Sequence, residues 1–192
     1  MKPILFLLIA LGLALHAQAQ EQNQSEEPAQ KLKAFVGFGG GNSMIARDGT
    51  VWISIKSGLR INSRVQTGVY ASTIISDVTN PYKKDAPQNI DYNALGIFGE
   101  FTALEKGAFS LTLPVAAGAG LINIIKQNAE NSKAEDGFFM AEAGFAFNCQ
   151  VTQMLRVSIA GGWRQFLGID NNKLRNKDFN TLFGEFSFRW TE

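Results

Sequence analysis

FSLTLPVAAGAGL, residues 109–121, alternates in character at every step. Phe109, Leu111, Leu113, Val115, Ala117, Ala119 and Leu121 fall on one side. Ser110, Thr112, Pro114, Ala116, Gly118 and Gly120 fall on the other. Successive side chains of a β-strand point to opposite faces, so this stretch reads as a strand with one apolar face and one small or polar face. Pro114 cannot donate to a strand ladder, so a bulge is expected there.

The same alternation recurs in both directions from this strand. Toward the N-terminus, Leu32, Ala34, Val36 and Phe38 oppose Lys33, Phe35, Gly37 and Gly39; Val51, Ile53, Ile55 and Leu59 oppose Trp52, Ser54, Lys56 and Gly58. Val65, Thr67, Val69, Ala71 and Ile75 oppose Gln66, Gly68, Tyr70 and Ser72, and Leu95, Ile97 and Phe101 oppose Ala94, Gly96, Phe98 and Glu100. Toward the C-terminus, Phe139, Ala141, Ala143, Phe145 and Phe147 oppose Met140, Glu142, Gly144, Ala146 and Asn148. Leu155, Val157, Ile159 and Trp163 oppose Arg156, Ser158, Ala160, Gly162 and Arg164; Leu182, Gly184, Phe186, Phe188 and Trp190 oppose Phe183, Glu185, Ser187 and Arg189. Loops are expected at Gly40–Gly49, Asp77–Ile90, Lys126–Asp136 and Gly168–Asp178, and tight turns at Asn62–Ser63, Glu105–Gly107 and Gln150–Gln153. Long and short connections alternate, as they do when antiparallel strands thread a membrane repeatedly.

The apolar face of these strands carries no Asp, Glu, Lys or Arg, whereas the other face is rich in Gly and Ala and holds all the strand charges. A soluble barrel would turn the charged face to water; hydrocarbon demands the reverse. Small residues suit an interior only just wide enough for side chains. Aromatic residues of the apolar face gather toward strand ends, with Phe101, Phe109, Phe147 and Trp190 near the short turns and Phe38, Phe139 and Trp163 nearer the loops. Two interfacial girdles would look like this. The expected fold is all-β, an eight-stranded antiparallel up-and-down transmembrane β-barrel spanning residues 31–192. Its lipid face is defined by Ile53, Val69, Ile97, Leu113, Phe145, Ile159 and Phe186.

Residues 1–19 read as an export signal, with Lys2 ahead of an apolar run from Ile4 to Leu15 and a small-x-small site at Ala17–Ala19. Residues 20–30, QEQNQSEEPAQ, form a polar, acidic lead-in. Removing the signal takes one lysine from 18 basic residues and leaves the 17 acidic ones, so the exported chain is neutral and offers no basic stripe for nucleic acid. The single cysteine, Cys149, has no partner in the chain for a disulfide. The only histidine, His16, lies in the signal, which removes imidazole from any chemistry of the exported chain.

The alternation over eight strands, the aromatic final strand Leu182–Trp190 and the stretch LRVSIAGGWRQFLGIDNNKLRNKDFNTLFGEFSF (Leu155–Phe188) resemble the small outer-membrane β-barrel domain family of Gram-negative bacteria, similar in plan to OmpA- and OmpX-type barrels. The resemblance covers the whole exported chain. It implies residence in the outer membrane, contact with outer-membrane lipid, and passage through periplasmic chaperones and the barrel-assembly machinery. Loops are where members of such families differ, so any extracellular ligand would be held there.

One charged constellation faces inward: Lys33, Lys56, Glu100, Glu142, Arg156, Arg164, Glu185 and Arg189. Burying an unpaired charge is costly, so these residues are expected to pair and plug the lumen. Arg164 is expected to bridge Glu142 and Glu185, with Glu100 served by Arg156, Arg189 or Lys33. Other readings of the same charges are a gated ion path or paired catalytic carboxylates. Glycines 37 and 39–41 lack the lysine and helix of a phosphate loop, and Asp170-Asn171-Asn172 lacks the glycine of a calcium loop, so no cofactor, metal or catalytic residue is assigned. The expected function is that of a non-enzymatic envelope or surface-binding barrel, against a lipid-modifying enzyme or small-solute pore.

Overall fold

The computed structural model describes residues 32–82, 88–126, 133–171 and 174–192. The expected export signal and acidic lead-in lie outside the described residues. Eight long strands run through the rest: β1 Lys33–Ile45, β2 Asp48–Arg60, β3 Val65–Ile74, β4 Gln88–Lys106, β5 Phe109–Lys126, β6 Lys133–Gln150, β7 Leu155–Leu167 and β8 Thr181–Thr191. Each pairs antiparallel with its chain neighbours, and β1 pairs with β8 through nine residues from Phe35↔Thr191 to Ser43↔Phe183. The sheet therefore closes into an up-and-down barrel with no free edge, the form in which a sheet can satisfy its backbone in lipid.

The faces fall as the alternation requires. Phe38, Ile53, Ile97, Leu113, Phe145, Ile159 and Phe186 are exposed on the outer wall, while Trp52, Gln66, Thr112, Arg164 and Arg189 are buried inside. The seven girdle aromatics named from sequence are all exposed. A single-residue slip in any strand would exchange these sets.

Five local expectations are corrected. The bulge is not at Pro114. The β5–β6 register is the same on both sides of the proline, Thr112↔Ala146 and Val115↔Ala143, and only the pairs of Leu113 and Pro114 drop out. The missing N–H is accommodated as a gap in one ladder; the register shift lies at Thr102/Leu104, between β4 and β5.

The loop expected at Gly40–Gly49 is a two-residue hairpin. β1 continues to Ile45, and Ala46 and Arg47 turn the chain with φ of 51° and 68°. Hairpins of this kind favour Asn-Gly or Asp-Gly, so Ala-Arg gives no sequence signal. Tertiary contact holds the turn: Ala46 is buried and its N–H donates to the Asp178 carbonyl at 2.6 Å. The glycines remain in the strand because its inner face is crowded. A Cβ on Gly41 would overlap the Gly184 carbonyl and lie 2.5 Å from the Trp52 ring, whereas one on Gly40 would meet nothing nearer than 3.5 Å. Gly41→Ala is expected to destabilise the barrel by about 1–3 kcal/mol and Gly40→Ala by less than about 0.5 kcal/mol, measured by denaturant unfolding in lipid vesicles.

Within the described residues, the loops expected at Asp77–Ile90 and Lys126–Asp136 give way in part to strand; residues 83–87 and 127–132 lie outside the described residues. β4, β5 and β6 are 19, 18 and 18 residues long, against the roughly 9–11 that cross a bilayer. Their loop-side ends reverse the polarity of the wall. Ile90, Tyr92, Ile122, Ile124 and Phe138 point inward and are buried, while Asn89, Asp91 and Asn93 take the outer face of β4. The buried cluster is completed by Ile45, Val78, Ile169, Leu174 and Phe179 from the other connections. Above the apolar belt the barrel is built as a soluble one, oil inside and polar groups outside. Val78–Thr79 adds a short rung to β4, and Asp170–Asn171 pairs with Leu174–Arg175 in the segment expected to be a plain loop at Gly168–Asp178.

Candidate functional site

Inside the belt, the inward positions of the eight strands bring the charged residues together in successive layers. Nearest the loops, Arg164 on β7 is directly opposite Glu142 on β6, and its Nε donates to Glu142 Oε1. Its Nη1 donates to the Tyr92 hydroxyl at 2.8 Å, and its guanidinium lies 4.5 Å from the centre of the Trp52 ring and 5.3 Å from that of Phe183. Arg164 is 1% exposed, so carboxylate, phenol and ring faces together replace its water.

The next layer joins β8 to β2 across β1. Lys56 Nζ donates to Glu185 Oε1 at 2.8 Å and Oε2 at 3.1 Å. These two strands are not neighbours; the side chains meet because β1 offers only glycine between them, and a Cβ on Gly39 would sit 2.7 Å from Glu185 Oε1. Toward the short turns, Arg189 on β8 takes Glu100 in a two-pronged pair, Nη1 to Oε2 at 2.7 Å and Nη2 to Oε1 at 2.5 Å. The same Nη1 reaches Gln66 Oε1 at 2.7 Å, and the guanidinium stacks 4.5 Å from the centre of Phe35. Asn148, Ser158, Ser110 and Thr112 form a neutral network beside it.

Glu185 does not meet Arg164, which corrects the expected double bridge. β8 places Thr181 opposite Arg164 and Glu185 opposite Ala160. Four residues of strand separate the two sites, about 13 Å at 3.3 Å per residue. A double-mutant cycle is expected to give a coupling of about 0.5–3 kcal/mol between Arg164 and Glu142, and additivity within about 0.5 kcal/mol between Arg164 and Glu185. Equal coupling in both pairs would contradict this arrangement.

Two of the eight expected network residues stand apart from the ion pairs. Arg156 donates Nε to Gln150 Oε1 at 3.1 Å, and Lys33 is exposed at the short-turn rim. Conversely, the sequence pattern does not mark Tyr92, Gln66, Trp52, Phe35 and Phe183 as partners of the charges. Their inward parity is the available signal, except at Tyr92, where the strand starts earlier than the alternation shows.

Between the pairs, the lumen cavity is about 40 Å³ and is lined by Lys56, Tyr70, Phe98, Glu100, Glu142, Glu185 and Arg189 among others. A buried water needs about 10–15 Å³ of such space. The space at the glutamates thus holds a few waters at most.

On the loop side, Tyr82 Oη donates to Asp178 Oδ1 at 2.8 Å and ties the β3–β4 connection to the turn at Asn176–Asp178. That bond holds the phenolic proton and pushes the Tyr82 pKa up. Cys149 is a free thiol on the outward face of β6, opposite Phe109 and Val157 near the short turns.

No protein-family model matches the chain, and no curated protein matches it. Solved structures do. Neisserial surface protein A (NspA) superposes with a TM-score of 0.61 at 11% identity, covering 85% of this chain and 99% of its own. A major outer membrane protein from Thermus thermophilus gives 0.58 at 7% identity, over 83% and 99%. The N-terminal β-barrel domain of Pseudomonas aeruginosa OprF gives 0.52 at 11% identity, over 82% and 97%. The chain has the fold of the small outer-membrane β-barrels. At these identities what is shared is the scaffold.

Proposed function

We propose that the protein is a non-enzymatic, integral outer-membrane β-barrel that serves envelope structure or holds other molecules at its loop face. The observation that carries this reading is the filled lumen: three ion pairs anchored on buried or half-buried partners, around a cavity of about 40 Å³. Such a core leaves no passage for a solute and no room for a substrate at its carboxylates. The apolar cluster above it closes the loop-side mouth and supports that face as a rigid platform, the usual setting for recognition by loops.

The outward belt supports contact with outer-membrane lipid, and the outward Phe186, Phe188 and Trp190 of β8 support delivery by periplasmic chaperones and the barrel-assembly machinery. The export signal assigned to residues 1–19 is part of the same reading. With His16 inside that signal, the histidine that commonly activates a serine nucleophile is missing from the exported chain. Lipid A from a strain lacking the protein is therefore expected to show an unchanged mass spectrum. A shifted acyl species, restored by the wild-type gene, would replace this reading with a lipid-modifying enzyme.

A further inference from the structure

All three glutamates of the lumen are taken, Glu142 by Arg164, Glu185 by Lys56 and Glu100 by Arg189. At the short-turn mouth the supply of carboxylates runs out while cations continue. Lys33, Arg60 and Arg156 line a cavity of about 230 Å³, with Glu105 the one carboxylate among its lining residues and Gln150 and Gln153 beside them. Lys33 and Arg60 are directly opposite each other on β1 and β2. Arg156 is opposite Gln150 on one side and Arg189 on the other.

Arg156 is only 8% exposed. It donates Nε to Gln150, and among the described residues no hydrogen bond or ion pair engages the two terminal nitrogens of its fork. A buried guanidinium with free donors, gathered with two more cations, is destabilising unless an anion joins it. The fork is shaped for the two oxygens of a carboxylate.

We propose that this mouth is a carboxylate-binding site for an acidic peptide, with Arg156 as its anchor and Lys33 and Arg60 closing on the bound group. The site is large enough for one acidic side chain and a little backbone, and Glu105 in its wall disfavours a dianion. The chain itself carries a peptide of this chemistry. QEQNQSEEPAQ, residues 20–30, contains Glu21, Glu26 and Glu27 and no basic residue, and it joins the barrel beside Lys33, a wall residue of the site. Six residues from Glu27 to Lys33 reach at most about 20 Å, so the chain's own carboxylates can arrive there. A separate acidic peptide is the other source of the same group.

The test is fluorescence anisotropy of a labelled QEQNQSEEPAQ peptide titrated, at low salt, into the full refolded chain and into its variant with Glu21, Glu26 and Glu27 changed to Gln. The variant is expected to bind the peptide, a peptide with Gln for every Glu is expected not to bind, and Arg156→Gln in the same background is expected to weaken binding by about tenfold or more. Binding to the native chain that is tenfold weaker than to the triple variant supports occupation by its own segment; equal binding supports a separate peptide. Arg60→Gln, at a half-buried rim position, gives the same reading if Arg156→Gln does not fold, as judged by heat-modifiable mobility. Absence of binding to both chains, or binding that neither arginine substitution weakens, would overturn the proposal.

Discussion

Arg189→Leu is expected to destabilise the barrel by about 3–5 kcal/mol, the range for removing one partner of a buried ion pair. The side chains of Arg189 and Glu100 are 9% and 7% exposed, and both forks are engaged, so the substitution strands a carboxylate and the Gln66 amide oxygen together. The loss of the cation over Phe35 adds to the effect. Because the penalty is mostly that of the charge left behind, the double substitution Arg189→Leu with Glu100→Leu should be much less destabilised than the sum of the single changes. Denaturant unfolding in lipid vesicles, followed by tryptophan fluorescence, reads both. A loss below about 1 kcal/mol for the single change would mean that the carboxylate is hydrated and the lumen wet.

Leu113→Arg is expected to cost about 2–4 kcal/mol, the range for a cation on the lipid face at mid-membrane. Leu113 is 46% exposed on the outer wall of β5, midway between the girdle levels of Phe109 and Phe139, which is opposite Ala119. Thr112, the next residue, is 0% exposed and contacts the Asn148 network inside. Arginine there meets a packing limit, so its loss should persist in detergent and in bilayers of any thickness. The loss at 113 should instead shrink in thin bilayers, where the side chain reaches the interface. Equal behaviour of the two variants across bilayer thickness would contradict the assignment of inner and outer faces.

The fold was legible because one physical demand, hydrocarbon outside and polar groups inside, acts on every second residue of eight strands. It ceased to be legible where that demand ends. Ile90, Ile122 and Ile124 alternate just as strictly as Leu111 and Leu113, but with the opposite sense, so the pattern breaks at the edge of the belt although the strands continue. The hairpin at Ala46-Arg47 was hidden for another reason: its two left-handed residues are held through Ala46, which is buried and bonded to Asp178, more than 130 positions away in sequence, rather than by their own preference.

The charged site divides in the same way. Parity alone placed all eight charges on the inward face, and the short turn at Gln150–Gln153 brought Glu142 within a diagonal step of Arg164, which the structure sets directly opposite it. Partnership across non-neighbouring strands was legible only as a set of candidates for Glu100, Arg189 among them, and not at all for Lys56 and Glu185. Lys56 and Glu185 meet over Gly39, and Arg189 and Glu100 meet across the lumen from β8 and β4; both depend on barrel diameter and stagger, which set inter-strand distances that no single strand encodes.

The central claim is that the lumen is filled, and planar-bilayer recording of the purified, folded protein tests it most directly. The pairs and the 40 Å³ cavity predict a membrane that stays at baseline, with no stepwise openings at moderate voltage. Steady unitary conductance from the wild-type barrel, scaling with salt concentration and altered by Arg189→Leu, would contradict it.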